Sequence, residues 1–176
     1  MKKFIFTTLT LFLLLFAFSQ IICAQTSPKL KLSREQQKNL DESLPLKVRK
    51  FLETADKFEI FMQTREKDGK LVAALQRDYQ PNMRAELTDQ NERFVLLKSF
   101  YQESATDEMG AICYLPSHSI RATKGNDAVE IEICFGCRKF YGKGSLGEFK
   151  GTLSRKEANT ETIINRIIEK SGTDIK

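Results

Sequence analysis

Residues 119–135 read SIRATKGNDAVEIEICF, in which two runs of alternating side chains flank a Gly-Asn pair. Glycine and asparagine tolerate the positive φ angles that a tight hairpin turn needs, so Lys124–Asp127 is the strongest turn signal in the chain. We predict a β-hairpin with strands over Ser119–Thr123 and Val129–Phe135. A loop of two residues and a loop of four residues give the same pairing between these strands.

This pairing is chemically consistent, because apolar residues face apolar ones and a base faces an acid. The pairs are Thr123 with Ala128, Ala122 with Val129, Arg121 with Glu130, and Ile120 with Ile131. Cross-strand pairs of this kind each stabilise a sheet by about 0.2–1 kcal/mol. Continued outward, the register sets His118 opposite Ile133 and beside Cys134. It also brings the chain near Cys113 towards Cys137, so we expect these groups to converge at the open end of the hairpin.

Helical patterns lie on both sides of this hairpin. Ser33 and Gln36 have the spacing of a capping box, which predicts the start of a helix. Pro45 interrupts that helix, and a second helical run follows it. A third helix is predicted to begin with Thr88 as its cap, and a fourth is predicted over residues 161–170.

Further strands are indicated by alternating or β-branched runs between turn signals. They are predicted at Lys57–Thr64, Leu71–Leu75, Met83–Leu87, Ala111–Tyr114, Lys139–Tyr141 and Glu148–Leu153. We therefore predict an α+β fold with a mostly antiparallel sheet and a central β-hairpin, flanked by N-terminal helices and one C-terminal helix.

The N-terminus has the three parts of a secretory signal. Lys2 and Lys3 precede an apolar run from Phe4 to Phe18, and the segment 19–24 supplies the cleavage region before Gln25. We predict a signal peptide over residues 1–24 and export to the periplasm or the exterior. The alternative is an uncleaved anchor, because this segment approaches the roughly 20 apolar residues that span a bilayer.

The remaining chain predicts a disordered leader over residues 25–32 and a single α+β domain over 33–176. Loss of the two signal lysines lowers the net charge from +5 to +3. A charge of +3 spread over mixed acids and bases favours no nucleic acid partner. We expect the partner to be an unknown envelope or extracellular component, with membrane contact only through an uncleaved signal segment.

The chemically distinctive residues are Cys113, His118, Cys134 and Cys137, which read C-x4-H-x15-C-x2-C and include the only histidine. Three thiolates and one imidazole form the Cys3His set that zinc favours, and a set of four ligands makes a structural site. The first interpretation is therefore a corner of the fold that holds a structural zinc ion.

Two other interpretations of these cysteines remain open. In an oxidising compartment, Cys113 can form a disulfide with Cys134 or with Cys137, which leaves one thiol over. Alternatively, Cys134 and Cys137 form a redox dithiol. Redox pairs of this spacing usually begin a helix, whereas Arg138 and the residues after it indicate a strand.

Neighbouring residues support the corner without adding catalytic chemistry. Pro116 stiffens the segment between Cys113 and His118, and the pair of Arg121 with Glu130 supports the hairpin register. The chain contains no nucleophile elbow, phosphate-binding glycine loop or zinc-protease motif. We expect a non-enzymatic binding or structural module, with a thiol–disulfide oxidoreductase or redox sensor as the alternative.

The segments CYLPSHSIR at 113–121 and ICFGC at 133–137 resemble an uncharacterised family of small exported bacterial proteins with a C-x2-P-x-H-x-I-R … I-C-F-x-C signature. The similarity extends to residues 44–59 and to Asn165-Arg166. The resemblance implies no activity, but it implies that the three cysteines and the histidine act together with Pro116 and Arg121. Ser117 replaces an expected basic residue, which argues against an anion site at this corner.

Overall fold

The structure of the chain is a computed structural model that describes residues 30–62, 83–112, 114–156 and 159–171. The predicted signal peptide, most of the predicted leader, the Leu71–Leu75 strand and Cys113 lie outside the described residues. No helix in the described ranges combines the length and the apolar character needed to cross a membrane.

A six-stranded antiparallel sheet forms the centre of the described part of the chain, with strand order β2-β1-β3-β4-β5-β6. The strands are β1 (Lys57–Met62), β2 (Met83–Glu86), β3 (His118–Lys124), β4 (Asp127–Cys134), β5 (Lys139–Gly144) and β6 (Phe149–Thr152). The helices are α1 (Arg34–Ser43), α2 (Leu46–Thr54), α3 (Gln90–Ser104) and α4 (Thr160–Ser171). The predicted α+β class, with helices at both ends and a mostly antiparallel sheet, is confirmed.

The central hairpin has the predicted register. Arg121 pairs with Glu130 and His118 pairs with Ile133. Lys124 pairs with Asp127, so the loop contains only two residues. The first of these is Gly125, whose φ of 56° lies in the left-handed region that favours glycine.

Helix starts follow local capping chemistry. The capping box is present, because the Gln36 amide donates to Ser33 Oγ at 3.2 Å and the Ser33 amide donates to Gln36 Oε1 at 2.9 Å. The cap of α3 is Asp89, not Thr88 as predicted. The Asp89 carboxylate accepts the Asn91 amide at 2.7 Å, and a carboxylate at this position also matches the positive end of the helix dipole.

The core lies between one face of the sheet and the helices. The sheet contributes Phe58, Ile60, Ile120, Ile131 and Ile133, and the helices contribute Leu52, Leu96, Phe100 and Ile164, all fully buried. Burying each such side chain stabilises the fold by about 1.5–3 kcal/mol. This face of the sheet is the inner face, and the opposite face is the outer face.

Two glycine–phenylalanine pairs join β5 to β6. Phe140 pairs with Gly151, and Gly142 pairs with Phe149. Each aromatic ring occupies the space that a side chain on its partner would need, because an added Cβ atom would overlap the ring. These glycines therefore allow large rings to cover short strands at this end of the sheet.

A buried carboxylate fixes the start of α4 from another helix. Glu103 Oε1 accepts the amides of Asn159 and Thr160, each at 2.7 Å, and also the Thr160 hydroxyl at 2.7 Å. Burial raises the pKa of Glu103 above its ordinary value, although these hydrogen bonds act in the opposite direction. The contact ties the C-terminal end of α3 to the N-terminus of α4.

The segment between α3 and β3 differs from the prediction. Ala111, Ile112 and Tyr114 belong to no strand, so residues 105–112 and 114–117 form what we call the arm. The Ala111 amide donates to the Cys137 carbonyl at 2.9 Å, and the Tyr114 hydroxyl donates to the Glu132 carbonyl at 2.9 Å. The arm makes isolated hydrogen bonds to the hairpin end where a strand would make a ladder.

Candidate functional site

Cys134 and Cys137 enclose the turn between β4 and β5, which we call the cysteine turn. Their sulfur atoms are bonded as a disulfide, and their Cα atoms lie 5.2 Å apart, within the usual range for such a bond. The Cys137 amide donates to Cys134 Sγ at 3.2 Å. Only 3% of Cys134 and 4% of Cys137 is exposed, so both half-cystines are buried.

This pairing differs from the predicted disulfide, in which Cys113 bonds Cys134 or Cys137. Cys113 lies outside the described residues, so its part in the predicted corner is untested. The described pair is the one that the redox interpretation uses. The tight turn explains it, because two residues between the cysteines bring the end of β4 next to the start of β5.

Arg138 connects the cysteine turn to the arm. Its φ of 55° is unusual for a residue with a side chain, and it directs the backbone out of the turn into β5. Arg138 Nη1 donates to Glu108 Oε2 at 2.7 Å, and Nη2 donates to the Met109 carbonyl at 2.6 Å. A hydrogen bond from the Arg155 amide lowers the pKa of Glu108, which favours the carboxylate that Arg138 contacts.

His118 lies on the inner face, away from the two sulfur atoms. It pairs directly with Ile133, a core residue, whereas Cys134 is the next residue along β4 and therefore points to the other face. Only 7% of His118 is exposed. The predicted backbone register is confirmed, but it does not bring the imidazole and the thiols together.

Both ring nitrogens of His118 have polar neighbours. Nε2 lies 3.0 Å from Asn165 Oδ1, and Nδ1 lies 2.9 Å from Ser117 Oγ. With the Asn165 oxygen as acceptor, Nε2 carries the proton and Nδ1 accepts from the hydroxyl. Burial lowers the pKa of His118 below 6.5, and the Phe135 ring packs against it edge-on at 5.1 Å. The arrangement stabilises a neutral histidine.

The three described members of the predicted Cys3His set do not fit a zinc ion in this arrangement. The sulfur atoms of Cys134 and Cys137 are bonded to each other, and His118 Nε2 and Nδ1 contact other residues on the opposite face. Within the described ranges, no group of three or more His, Cys, Asp or Glu side chains is placed to hold a metal ion.

The supporting residues that we predicted serve the sheet and the arm. Arg121 Nη2 lies 2.9 Å from Glu130 Oε2 on the outer face, and its guanidinium lies 5.8 Å from the centre of the Phe61 ring. Pro116 lies half-buried in the arm, two residues before His118. Arg121 and Glu130 therefore stabilise neighbouring strands at a distance from the cysteine turn.

A cleft of about 780 Å³ opens over β5 and β6, and we call it the edge cleft because β6 is an edge strand of the described sheet. Its walls are formed by Asn39, Glu42 and Ser43 of α1 and by the arm residues Thr106, Asp107 and Tyr114. Its floor is the paired stretches 139–141 of β5 and 150–152 of β6. Ligand sites in proteins usually have volumes of about 300–1,000 Å³.

The edge cleft was missed in the sequence because its parts come from four distant segments. Alternation along β5 and the direct pairing of Tyr141 with Lys150 place Lys139, Tyr141 and Lys150 on the outer face. Burial raises the pKa of Tyr114 well above its ordinary value, while its hydroxyl donates to the Glu132 carbonyl. Only the predicted strands Lys139–Tyr141 and Glu148–Leu153 gave a sequence signal for this region.

No family model, curated protein or solved structure matches the chain. The resemblance to small exported bacterial proteins with the C-x2-P-x-H-x-I-R … I-C-F-x-C signature therefore stays an expectation.

Proposed function

We propose that this chain is an exported, non-enzymatic binding module. In this proposal the Cys134–Cys137 disulfide is a structural support, and the edge cleft takes the ligand. The observation that carries the proposal is the cleft itself, whose volume of about 780 Å³ suits a small molecule or a short segment of a larger one.

The disulfide and the cleft are mechanically connected. The cysteine turn ends in Arg138, which holds Glu108 and the Met109 carbonyl in the arm. The next arm residues towards α3, Thr106 and Asp107, form one wall of the cleft. A fixed turn therefore supports a fixed wall, and a preorganised wall reduces the conformational entropy lost on binding.

The position and contacts of the His118 side chain favour a binding protein over an enzyme. Its imidazole faces the core, donates to Asn165 and accepts from Ser117. A general base has to lie within hydrogen-bond reach of a substrate proton, and His118 does not line the edge cleft. Its contacts instead join β3 to α4, which is a structural role.

Binding can be tested with the neutral fluorescent dye Nile red and the mature chain starting at Gln25. Thr152→Trp places a large side chain in the cleft floor, whereas Thr123→Trp places one on the outer face of β3, away from the cleft. We expect saturable one-to-one binding by the natural chain and by Thr123→Trp, and loss of binding in Thr152→Trp. Equal binding by all three proteins, or no saturable binding, would overturn the proposal.

Export is tested separately by expressing the full chain in a bacterial host and measuring the intact mass of the periplasmic protein. We expect a chain that starts at Gln25, because the segment 19–24 has the character of a cleavage region. A full-length chain in the membrane fraction would support the uncleaved anchor, and a full-length cytoplasmic chain would contradict export.

A thiol–disulfide oxidoreductase is the second candidate, and the Cys134–Cys137 pair is the observation that favours it. In that reaction the reduced dithiol gives two electrons and two protons to a substrate disulfide, which becomes a dithiol while Cys134 and Cys137 form their bond. The burial of both sulfur-bearing residues limits attack by an external thiolate. Reduction of insulin and a mixed disulfide trapped by Cys137→Ser would support this candidate; failure of both would contradict it.

A further inference from the structure

We propose that the edge cleft binds an amphiphile with an anionic oxygen head group, and that Lys139 and Lys150 hold that head group. The head group is a carboxylate or a phosphate ester, and the body is apolar. The inference rests on the proposed function, because it assigns a ligand class to the same cleft.

The first observation is the placement of the two lysines. Lys139 pairs with Thr152 and Tyr141 pairs with Lys150, so the two ammonium-bearing side chains are diagonal neighbours on the outer face. Diagonal neighbours across an antiparallel pair lie about 7–8 Å apart, which long lysine side chains easily span. Both lysines line the cleft, so one anion between them contacts two positive charges.

The second observation is that these two cations have no ion partner among the described residues. The other basic side chains on the outer face of the described strands each contact a carboxylate. These ion pairs are Lys57 and Arg84 with Glu59, Arg121 with Glu130, and Lys143 with Glu132. None of the ion pairs in the described ranges includes Lys139 or Lys150. The floor of the cleft thus carries two lysines that form no ion pair within the described ranges.

The third observation is the aromatic surface beside the lysines. Tyr114 and Tyr141 both line the cleft. The Tyr114 hydroxyl donates to the Glu132 carbonyl, and a hydrogen bond with Glu148 raises the pKa of Tyr141. Because the Tyr114 hydroxyl is engaged with the Glu132 carbonyl, the Tyr114 ring presents mainly its apolar face, which suits a hydrocarbon or aromatic body.

Two acidic residues in the walls of the cleft orient the ligand. Glu42 belongs to α1, where it contacts Lys38 at 3.8 Å, and Asp107 belongs to the arm. An anionic head group is repelled by these two carboxylates and attracted by the lysines on the floor. The charge distribution therefore favours one orientation, with the head group over β5 and β6.

The test compares decanoate, decyl phosphate and decanol, which share a ten-carbon chain and differ in the head group. Each probe is titrated below its aggregation concentration into the mature, disulfide-containing chain, and displacement of Nile red is measured. We expect either anion to bind about tenfold more tightly than decanol, and added salt to weaken only the anions. The stronger of the two anions identifies the head group.

The matched variants are Lys139→Gln/Lys150→Gln and Lys143→Gln. Lys143 lies on β5 on the same face but outside the cleft, and it contacts Glu132. We expect the double variant to lose the preference for anions while still binding decanol, and Lys143→Gln to keep that preference. Asp107→Asn should strengthen anion binding, because it removes a repelling charge.

The failures of the two proposals are distinguishable. If Nile red and decanol bind but the anions gain nothing, or if the lysine substitutions leave the anion preference intact, the ligand class is overturned and the binding module stands. If none of the probes binds saturably, both proposals fall. The circular dichroism spectrum of each variant shows whether it has folded, so loss of structure is not read as loss of a contact.

Discussion

Neighbouring residues of β4 point to opposite faces of the sheet, and the two faces differ in their burial and in the contacts that they make. Ile131 and Ile133 point to the inner face, which is closed by helices and includes the contact of the buried His118 with Asn165. Glu130, Glu132 and Cys134 point to the outer face, with its ion pairs and disulfide. The inner face stabilises the fold, whereas the outer face carries the ion pairs, the disulfide and the lysines that line the cleft.

This difference explains why His118 does not lie beside Cys134, although the predicted pairing of the two strands is present. A period of two places adjacent residues on opposite faces, so a histidine opposite Ile133 is separated from Cys134 by the thickness of the sheet. Pairing alone does not make two side chains neighbours. They must also share a face.

The strongest test of this comparison is truncation on the inner face. Ile131→Ala is expected to lower the free energy of unfolding by about 2–5 kcal/mol, because the fully buried side chain leaves a cavity in the core. Ser119→Ala on the outer face of β3 should change it by about 0.5 kcal/mol or less. Urea unfolding monitored by circular dichroism measures both, and similar losses at the two sites would refute the division between the faces.

Removing the disulfide should have the next largest effect. Cys134→Ala/Cys137→Ala is expected to destabilise the fold by about 2 kcal/mol, the value given by chain entropy for so short a closed loop. The natural chain in reducing buffer should lose a similar amount, while the double variant should not respond to reductant. A natural chain whose stability is the same in oxidising and reducing buffer would show that the disulfide does not support the turn.

The His118 contact predicts a dependence on pH. Its folded pKa is lower than the unfolded value of 6.5, so its stabilising contribution is fully present above pH 6.5 and is lost as the pH falls towards the folded pKa. The loss is at most about 1.4 kcal/mol per pH unit. The difference in unfolding free energy between the natural chain and His118→Gln should therefore shrink as the pH is lowered.

Glu103 does not obscure this measurement. Its folded pKa is raised above 4.5, so its contribution falls as the pH rises through that range, opposite in sign to that of His118. Both proteins contain Glu103, and its effect cancels in their difference. A difference that is constant over the titration of histidine would contradict the neutral, buried His118.

The smallest expected effect is on the outer face. A double-mutant cycle with Arg121→Ala and Glu130→Ala should give a coupling energy of about 0.2–1 kcal/mol, because the pair is partly exposed and screened by water. High salt should reduce it further. A coupling of several kcal/mol would show that this face is shielded from solvent and contributes to the fold as the inner face does.

The hairpin register could be predicted because its information is local. The Gly125-Asn126 turn fixes where the strands reverse, and alternation fixes which residues face the core. The start of α1 was predicted for the same reason, since Ser33 and Gln36 satisfy each other's amides within one turn. The one-residue error at Asp89 arose because Thr88 is also a good cap, and only the backbone decides between them.

The site was less predictable because it depends on contacts between distant segments. The Cys134–Cys137 bond was among the sequence alternatives, but its burial depends on how the rest of the chain packs around the turn. Asn165, which pairs with His118, lies 47 residues away on α4. The cleft walls from α1 and the arm carry no motif that marks them as neighbours of β5 and β6.

The most direct test of the account is the state of Cys134 and Cys137 in native protein. We propose to purify the mature chain without reductant or added zinc, alkylate it under denaturing conditions, and measure by mass spectrometry the proteolytic peptide that contains both residues. The account predicts an unalkylated peptide lighter than the dithiol form by two hydrogens, and no zinc in the sample. Alkylation of both cysteines, with one zinc ion per chain, would contradict it.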